Sequence, residues 1–420
     1  MQHHVPVDEL GALGERMAQQ IKACVHCGFC LPACPTYEVL GEEMDSPRGR
    51  IFLMKEVLEG ALPLDAALPH IDRCLGCLAC VPACPSGVQY GELLSPFREF
   101  AEARRSRPPI NRLVRLMTQR TLPFPGRLYV AARLGKLAAP LAPLLPKAFA
   151  SMLELLPGEI RRPTVLPPVI EAQGDRRARV AFLTGCVQTV IDPEINQATL
   201  RVLSRNGVEI VIVPDQGCCG ALAIHGGDLA RARSLARRNL ENLPRDVDAI
   251  ITNAAGCGSG MKEYPLIFSG FPEEELAREF AGRVEDVTAF LDRLGLLPPP
   301  PAGRTLKLAY HDACHLANAQ GIRSAPRGLL RSIPNVELIE IPEGEFCCGS
   351  AGTYNIEQSE IAETLGKRKV NSIVESGAEA VAAGNVGCLV QIRKALAGRN
   401  RQVTVEHTIQ FLDRAYSGRL

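Results

Sequence analysis

The chain has 420 residues, 46% of them hydrophobic, and a formal net charge of +1 at pH 7, so it is long enough for about three domains and offers no global charge that would favour nucleic acid as a partner. Sixteen cysteines without a recognisable export signal indicate a reducing compartment and metal or redox thiols instead of disulfides. No window approaches the roughly 18 apolar residues of a membrane span, so we expect a cytoplasmic protein, either soluble or peripheral.

Two helices are predicted in the first sixty or so residues. Over residues 8–23, apolar residues recur at three- and four-residue spacings, which indicates an amphipathic helix. A second helix is predicted to begin at Pro47, after a turn. Its Arg48 and Arg50 would lie near the cysteines described next. They either offset negative charge there, dock a partner, or are ordinary solvated side chains.

Two runs of four cysteines follow the spacing C-x2-C-x2-C-x3-C-P, with the second run 50 positions after the first: Cys24, Cys27, Cys30, Cys34 and Cys74, Cys77, Cys80, Cys84. This spacing is typical of bacterial ferredoxins with two [4Fe-4S] clusters, in which the last cysteine of each run ligates the other cluster. The predicted ligand sets are therefore Cys24, Cys27, Cys30, Cys84 for the first cluster and Cys74, Cys77, Cys80, Cys34 for the second.

The main alternative metal for these runs is zinc, which usually pairs two C-x2-C knuckles across a long gap, so the spacing favours iron-sulfur clusters. His26 lies inside the first run. We interpret it as a hydrogen-bond donor, because four thiolates are already present.

Residues 103–153 contain ten lysines and arginines and no acidic residue. Prolines divide the stretch into short predicted helices that are apolar on one side and basic on the other. One interpretation is a segment on the inner face of the cytoplasmic membrane, and the other is a basic connector packed between domains. The proline-rich residues 161–175 form the clearest linker in the chain.

The remainder is a tandem repeat, in which four cysteines of one half recur in the other at offsets of 128, 129, 129 and 131: Cys186, Cys218, Cys219, Cys257 and Cys314, Cys347, Cys348, Cys388. Short β-branched runs end on these cysteines and alternate with helical segments. Because the carboxyl ends of parallel strands meet at one edge of a sheet, we expect each set of four to converge.

The predicted fold class is α/β (α+β overall). A helical two-cluster ferredoxin-like domain (residues 1–102) precedes a basic helical connector (103–174) and two tandem related α/β cysteine-rich domains (175–300 and 301–420). No dinucleotide-binding glycine motif or P-loop is visible, so FAD and NAD are not expected on this chain and no catalytic residue is assigned. His225, His311 and His315, with Asp312, either hydrogen-bond a sulfur or pass protons, or are structural.

The motifs CVHCGFC, SPRGRI, RCLGC, GCCGA and CCGSAGTY, in this order, carry a resemblance to known proteins. The repeated halves resemble the cysteine-rich domain of heterodisulfide reductase-type proteins, and the whole chain resembles iron-sulfur subunits of glycolate oxidase (glycolate dehydrogenase). The resemblance implies an electron-transfer subunit with two [4Fe-4S] clusters. Its partners would be flavoprotein subunits that oxidise glycolate, and its electrons would go to the membrane quinone pool.

One departure from the family pattern concerns the cysteine-rich halves. The fuller motif ends in C-x2-C and can bring five thiolates to an unusual cluster, whereas here Ala254 and Asn385 replace the first member of that pair. Four cysteines per half permit one or two further iron-sulfur clusters, and buried thiols without a metal are the alternative.

Three other functions remain open at this point. The chain could serve a D-lactate or glycerol 3-phosphate dehydrogenase. It could be a heterodisulfide reductase-like thiol-disulfide unit, or a scaffold with structural clusters.

Overall fold

The N-terminal part is a group of helices around the two cysteine runs. A computed structural model of the chain describes residues 4–399 and 402–420. The helices of this part are α1 (Val7–Ala23), α2 (Pro35–Leu40), α3 (Pro47–Leu58), α4 (Leu64–Asp72) and α5 (Tyr90–Glu102). Buried Met17, Met54 and Phe97 join α1, α3 and α5 in one apolar core. Helix α3 begins after Ser46, whose Oγ accepts a hydrogen bond from the Gly49 amide at 3.0 Å and so satisfies a free N–H of the first turn.

The basic connector contacts both cysteine-rich halves. It consists of α6 (Pro109–Thr121), α7 (Pro125–Ala138), a 3₁₀ helix (Ala139–Leu144) and α8 (Lys147–Glu154). Helix α6 is held to the first cysteine-rich half by Arg115, which donates to the Gly226 carbonyl at 2.5 Å. Helix α8 is held to the second half by Lys147, which pairs with Glu360 at 2.6 Å. The opposite side of α6, α7 and the 3₁₀ helix exposes apolar side chains, which we call the apolar strip: Ile110, Leu113, Leu116, Met117, Val130, Leu134, Leu137, Leu141 and Leu144.

The first cysteine-rich half contains a five-stranded sheet of order β1-β3-β2-β4-β5, parallel except for β1. Its strands are β1 (Val169–Ile170), β2 (Ala178–Phe182), β3 (Val208–Val211), β4 (Ala249–Thr252) and β5 (Val284–Asp286). Its helices are α9 (Gln188–Ile191), α10 (Glu194–Arg205), α11 (Ala221–His225), α12 (Leu229–Asn242), α13 (Ala255–Lys262), α14 (Tyr264–Ile267), α15 (Glu274–Arg283) and α16 (Val287–Leu294). Strand β1 belongs to this sheet although it lies in the stretch that the sequence pattern assigned to the connector.

The second half repeats the arrangement with a four-stranded parallel sheet of order β7-β6-β8-β9. Its strands are β6 (Leu306–His311), β7 (Val336–Glu340), β8 (Ala380–Ala383) and β9 (Thr404–His407). Its helices are α17 (Cys314–Ala317), α18 (Ser324–Arg331), α19 (Tyr354–Glu357), α20 (Ser359–Glu375), α21 (Val386–Leu396) and α22 (Thr408–Tyr416).

The two halves share one hydrophobic core. Phe182 and Ile210 of the first half and Leu308 and Phe411 of the second belong to the same buried cluster. The ends of the two halves also repeat in sequence, since Val284, Glu285 and residues 290–293 recur 121 positions later as Val405, Glu406 and residues 411–414. These ends form equivalent elements, because each begins with a short strand whose last residue, Asp286 or His407, caps the following helix. The predicted fold class is confirmed. Among the described residues, no helix is long and apolar enough to cross a membrane.

Candidate metal centres

The first candidate site is a cavity among the cysteines of the first run. The cysteines that line it are Cys24, Cys27, Cys30, Cys80 and Cys84. Cys27 is exposed, and its neighbours Val25 and Phe29 are 67% and 66% exposed, so this site lies closest to solvent. Arg48 closes one side by donating to the His26 carbonyl at 3.2 Å and to Glu43 at 2.7 Å.

The second site is a neighbouring cavity whose sulfur lining consists of Cys34, Cys74, Cys77 and Cys80. Cys34 thus lies with three cysteines of the other run, and Cys84 lies with the first run. Tyr90 lines both cavities and donates a long hydrogen bond to the Cys74 sulfur at 3.9 Å. The backbone N–H of Gly76 also points to this sulfur, at 3.4 Å.

A buried arginine faces the second cavity. Arg50 is 1% exposed; its guanidinium lies 3.8 Å from the Cys34 sulfur and donates to Thr36 at 2.9 Å. Burial opposes the charged guanidinium, but the neighbouring Cys74, Tyr90, Cys34 and Asp45 raise its pKa, so it stays protonated. The interpretation of Arg50 as a solvated surface residue is therefore wrong.

The third site gathers the four cysteines of the first half at the carboxyl end of its sheet. The sulfurs of Cys186 and Cys218 are 3.3 Å apart, and Cys219 contacts both Cys218 and Cys257. Adjacent cysteines can turn towards one site because Gly220 follows them with φ of 82°.

The fourth site is the equivalent set in the second half. Cys314 contacts Cys347, and Cys348 contacts Cys388. Gly349 has φ of 87°, and a Cβ there would lie 2.7 Å from the Ala362 carbonyl, so only glycine fits. Asn385, which replaces a cysteine of the fuller motif, donates from Nδ2 to the Cys388 sulfur at 3.6 Å.

The second cysteine run docks directly onto the second half. The Gly76 carbonyl lies 3.0 Å from His315 Nε2, and Asn318 donates to the Cys77 carbonyl at 3.1 Å. Cys77 packs in one apolar cluster with Cys347, beside Cys314. The first, second and fourth sites therefore form a continuous row.

Three of the polar residues singled out by the sequence, Asp312, His315 and His225, have structural contacts. Asp312 forms a two-point ion pair with Arg327, with distances of 2.8 and 2.7 Å. His315 holds the second run, and its ring stacks edge-on against His225 with centroids 4.7 Å apart. Burial lowers the pKa of His315 to about 4, so its ring is neutral at physiological pH.

Sequence reasoning missed Lys369. It is 2% exposed, donates to the carbonyls of Glu343 and Gly344 at 2.8 and 3.1 Å, and lies near Cys347 and Cys348. Its only sequence signal is a basic residue on the apolar face of a helix that follows the Cys-Cys pair.

The donor sets fit iron-sulfur clusters. Burial raises the pKa of the Cys77 and Cys80 thiols well above their ordinary value, so these groups favour a proton or a metal over a free thiolate. N–H and O–H donors point at several of the sulfurs, as expected around thiolate ligands. When bound, the clusters would supply one-electron transfer, and the protein supplies the thiolates, the hydrogen bonds and the exclusion of water.

Comparisons with known proteins agree with this architecture. The model of the 4Fe-4S dicluster domain matches residues 20–88, and that of the cysteine-rich domain matches residues 180–262 and 308–393. The glycolate oxidase iron-sulfur subunit of Escherichia coli (strain K12) is 34% identical over 404 residues, covering 94% of each chain. The probable glycolate oxidase iron-sulfur subunit of Bacillus subtilis (strain 168) is 36% identical over 414 residues, covering 93% of each.

A shorter relative matches along nearly its whole length but aligns with only part of this chain. Lactate utilization protein A of Oceanobacillus iheyensis is 30% identical over 239 residues, which are 56% of this chain and 96% of that protein. The two full-length matches, together with the dicluster and repeated cysteine-rich domains, show that this iron-sulfur protein belongs to the family of glycolate oxidase iron-sulfur subunits.

Proposed function

We propose that the chain is the electron-transfer subunit of a glycolate-oxidising complex, in which it accepts electrons from a partner flavoprotein and passes them towards the membrane quinone pool. The observation that carries the proposal is the row of sites that begins at exposed Cys27 and continues through Cys77 to Cys314 and Cys347. Oxidation of a 2-hydroxy acid releases two electrons, and a row of one-electron centres passes them on singly.

The proposed ligands of the first [4Fe-4S] cluster are Cys24, Cys27, Cys30 and Cys84, and those of the second are Cys34, Cys74, Cys77 and Cys80. The lining of the two cavities supports this crossed assignment, because Cys34 and Cys84 each lie with the other run. Cys80 borders both cavities.

We propose that both cysteine-rich halves also hold clusters, through Cys186, Cys218, Cys219 and Cys257 in the first and Cys314, Cys347, Cys348 and Cys388 in the second. The close approach of these sulfurs supports cluster binding. The second half would extend the row from the ferredoxin-like part.

The surface around Cys27 is suited to the flavoprotein partner. Val25 and Phe29 are exposed apolar side chains on either side of this cysteine, and burial of such side chains in an interface would bring the partner close to the first cluster. We further propose that the apolar strip and the basic residues of the connector hold the complex on the inner face of the cytoplasmic membrane.

A related substrate is the second candidate, because lactate utilization protein A matches more than half of the chain. Glycerol 3-phosphate is a third possibility from the same group of dehydrogenases. A thiol-disulfide function is less well supported, since Ala254 and Asn385 lack the thiols of the fuller motif.

The test is to purify the complex from its native host through a tag on this chain. The co-purified flavoprotein should reduce quinone with glycolate, at a rate well above those with D-lactate or glycerol 3-phosphate. A higher rate with D-lactate or glycerol 3-phosphate would show that glycolate is not the preferred substrate. Absence of a flavoprotein from the purified complex would contradict the proposed partner.

A further inference from the structure

His311 is a buried histidine of the second cysteine-rich half. It is the last residue of β6, three positions before Cys314, and is 1% exposed. Neither ring nitrogen makes a hydrogen bond within the part of the chain that the structure describes. Buried polar groups are nearly always paired, so an unpaired buried ring points to a partner from outside the protein chain.

The ring points towards two of the candidate ligands of the second half. One nitrogen of His311 and the sulfurs of Cys348 and Cys388 all lie within 4.8 Å of one another. Imidazole and thiolate are compatible ligands of one iron-sulfur cluster, since histidine replaces cysteine in some of them. A neutral imidazole keeps a lone pair on one ring nitrogen, with which it can ligate a metal.

The two halves differ at this position. Cys314 corresponds to Cys186 in the repeat, so His311, three residues earlier, corresponds to Leu183. Leu183 is 1% exposed and lies in an apolar core. At this position the first half therefore has an apolar side chain, whereas the second half has an imidazole.

Asn385, which stands in the second half where the fuller motif has its fifth cysteine, does not supply the missing ligand. In the second half, Asn385 uses its Nδ2 to donate to Cys388 and its Oδ1 to accept from the Gly256 amide at 3.4 Å, so the amide is already engaged. Any fifth ligand therefore has to come from another residue, and His311 is a buried side chain close to the sulfurs of Cys348 and Cys388.

We propose that His311 is the fifth protein ligand of an iron-sulfur cluster in the second half, together with Cys314, Cys347, Cys348 and Cys388. The first half then offers four thiolates only, and the two halves are chemically different centres. This inference rests on the proposed function, because it concerns one of the proposed clusters.

A neutral imidazole as the fifth ligand adds no negative charge, whereas the thiolate of the fuller motif would add one, so the potential stays higher with His311 than with a cysteine at this position. The first half has four thiolates and no fifth ligand, so the imidazole does not change the ligand charge relative to that centre. The buried ammonium group of Lys369 near Cys347 and Cys348 favours the reduced, more negative form of the centre next to Cys77.

The experiment is ⁵⁷Fe Mössbauer spectroscopy of the full chain, purified anaerobically, because this method detects every iron whatever its spin state. The wild type should show a component of about one iron per chain with mixed nitrogen and sulfur ligation. This component should disappear in His311→Leu, which copies the first half, and should move to values typical of thiolate ligation in His311→Cys. The control His225→Leu, a histidine of the first half, should match the wild type.

Identical spectra for the wild type, His311→Cys and His311→Leu would overturn the inference. That outcome would leave the proposed function intact if the iron content still exceeded the eight atoms of the two ferredoxin-type clusters. An iron content of only eight atoms per chain would instead contradict cluster binding in both halves. A redox titration adds a second readout, since His311→Cys should lower the potential of one centre and leave the others unchanged.

Discussion

Arg50 places a buried positive charge beside the cavity of the second site. Its guanidinium contacts Cys34 and pairs with Asp45, which is 0% exposed and also pairs with Arg73 at 2.9 Å. A four-iron cluster with four thiolates is anionic and gains another negative charge on reduction. A nearby buried cation stabilises the reduced form more than the oxidised form.

Replacing Arg50 by glutamine should therefore make the midpoint potential of the second cluster more negative, by removing that charge. An EPR-monitored redox titration measures the shift. Arg48→Gln is the matched control, because Arg48 lies by the first cavity, so it should affect the first cluster instead. Equal shifts in the two variants, or no shift in Arg50→Gln, would contradict this assignment of the charge.

At the scale of single residues, the sequence identified the cysteines but could not show how the side chains around them are placed. The cysteine spacing is local and carries its own chemistry, so the runs could be recognised directly. Arg50 and Arg48 are two positions apart on one helix, and only tertiary contacts with α4 and the Cys34 loop bury the former. The sequence singled out His311 near Cys314, but the position of its ring relative to Cys348 and Cys388 depends on tertiary structure, including the pairing of β6 with β8.

At the scale of single elements, the connector has two different faces. Val114 and Thr118 of α6 are buried, and Arg231 donates to the carbonyl of Gln119 at 2.9 Å, so this face packs on the first half. The other face carries the apolar strip, in which Leu137 and Leu144 are 79% and 82% exposed. Both interpretations of the sequence are thus compatible with the structure, because packing uses one face and leaves the other open.

The apolar strip should bind vesicles that contain anionic lipid. Burial of each leucine contributes about 1.5–3 kcal/mol and each basic residue near the surface about 1 kcal/mol. In a flotation assay, Leu137→Glu with Leu144→Glu should reduce binding at every salt concentration. Arg112→Glu with Arg120→Glu should reduce it mainly at low salt.

Arg115 is left out of these variants, because it is held by Glu102 and the Gly226 carbonyl and its reversal would disturb packing. The control is Arg304→Glu, an exposed arginine near the start of β6. Flotation of the leucine variant at the wild-type level would exclude the membrane and leave the strip as an interface for another subunit.

At the scale of the whole molecule, the repeat in the sequence predicted most of the architecture. Nearly equal cysteine offsets implied two related α/β halves, and strands that end on cysteines implied that each set would gather at one sheet edge. The dock between the second run and the second half could not be predicted, because His315 and Gly76 are separated by 239 positions and carry no paired signal. Strand β1, only two residues long, was likewise hidden in a proline-rich stretch.

The most direct test of electron transfer through this chain is to measure dye reduction and quinone reduction separately in the purified complex that carries Cys77→Ser. Cys77 lies where the second cavity meets the second half, so its loss should stop glycolate-dependent quinone reduction while the partner flavin still reduces an artificial dye at the wild-type rate. Ala79→Ser, in the same loop, keeps all the thiols and should retain both activities. Quinone reduction at the wild-type rate in Cys77→Ser would contradict the proposal that electrons travel through this chain.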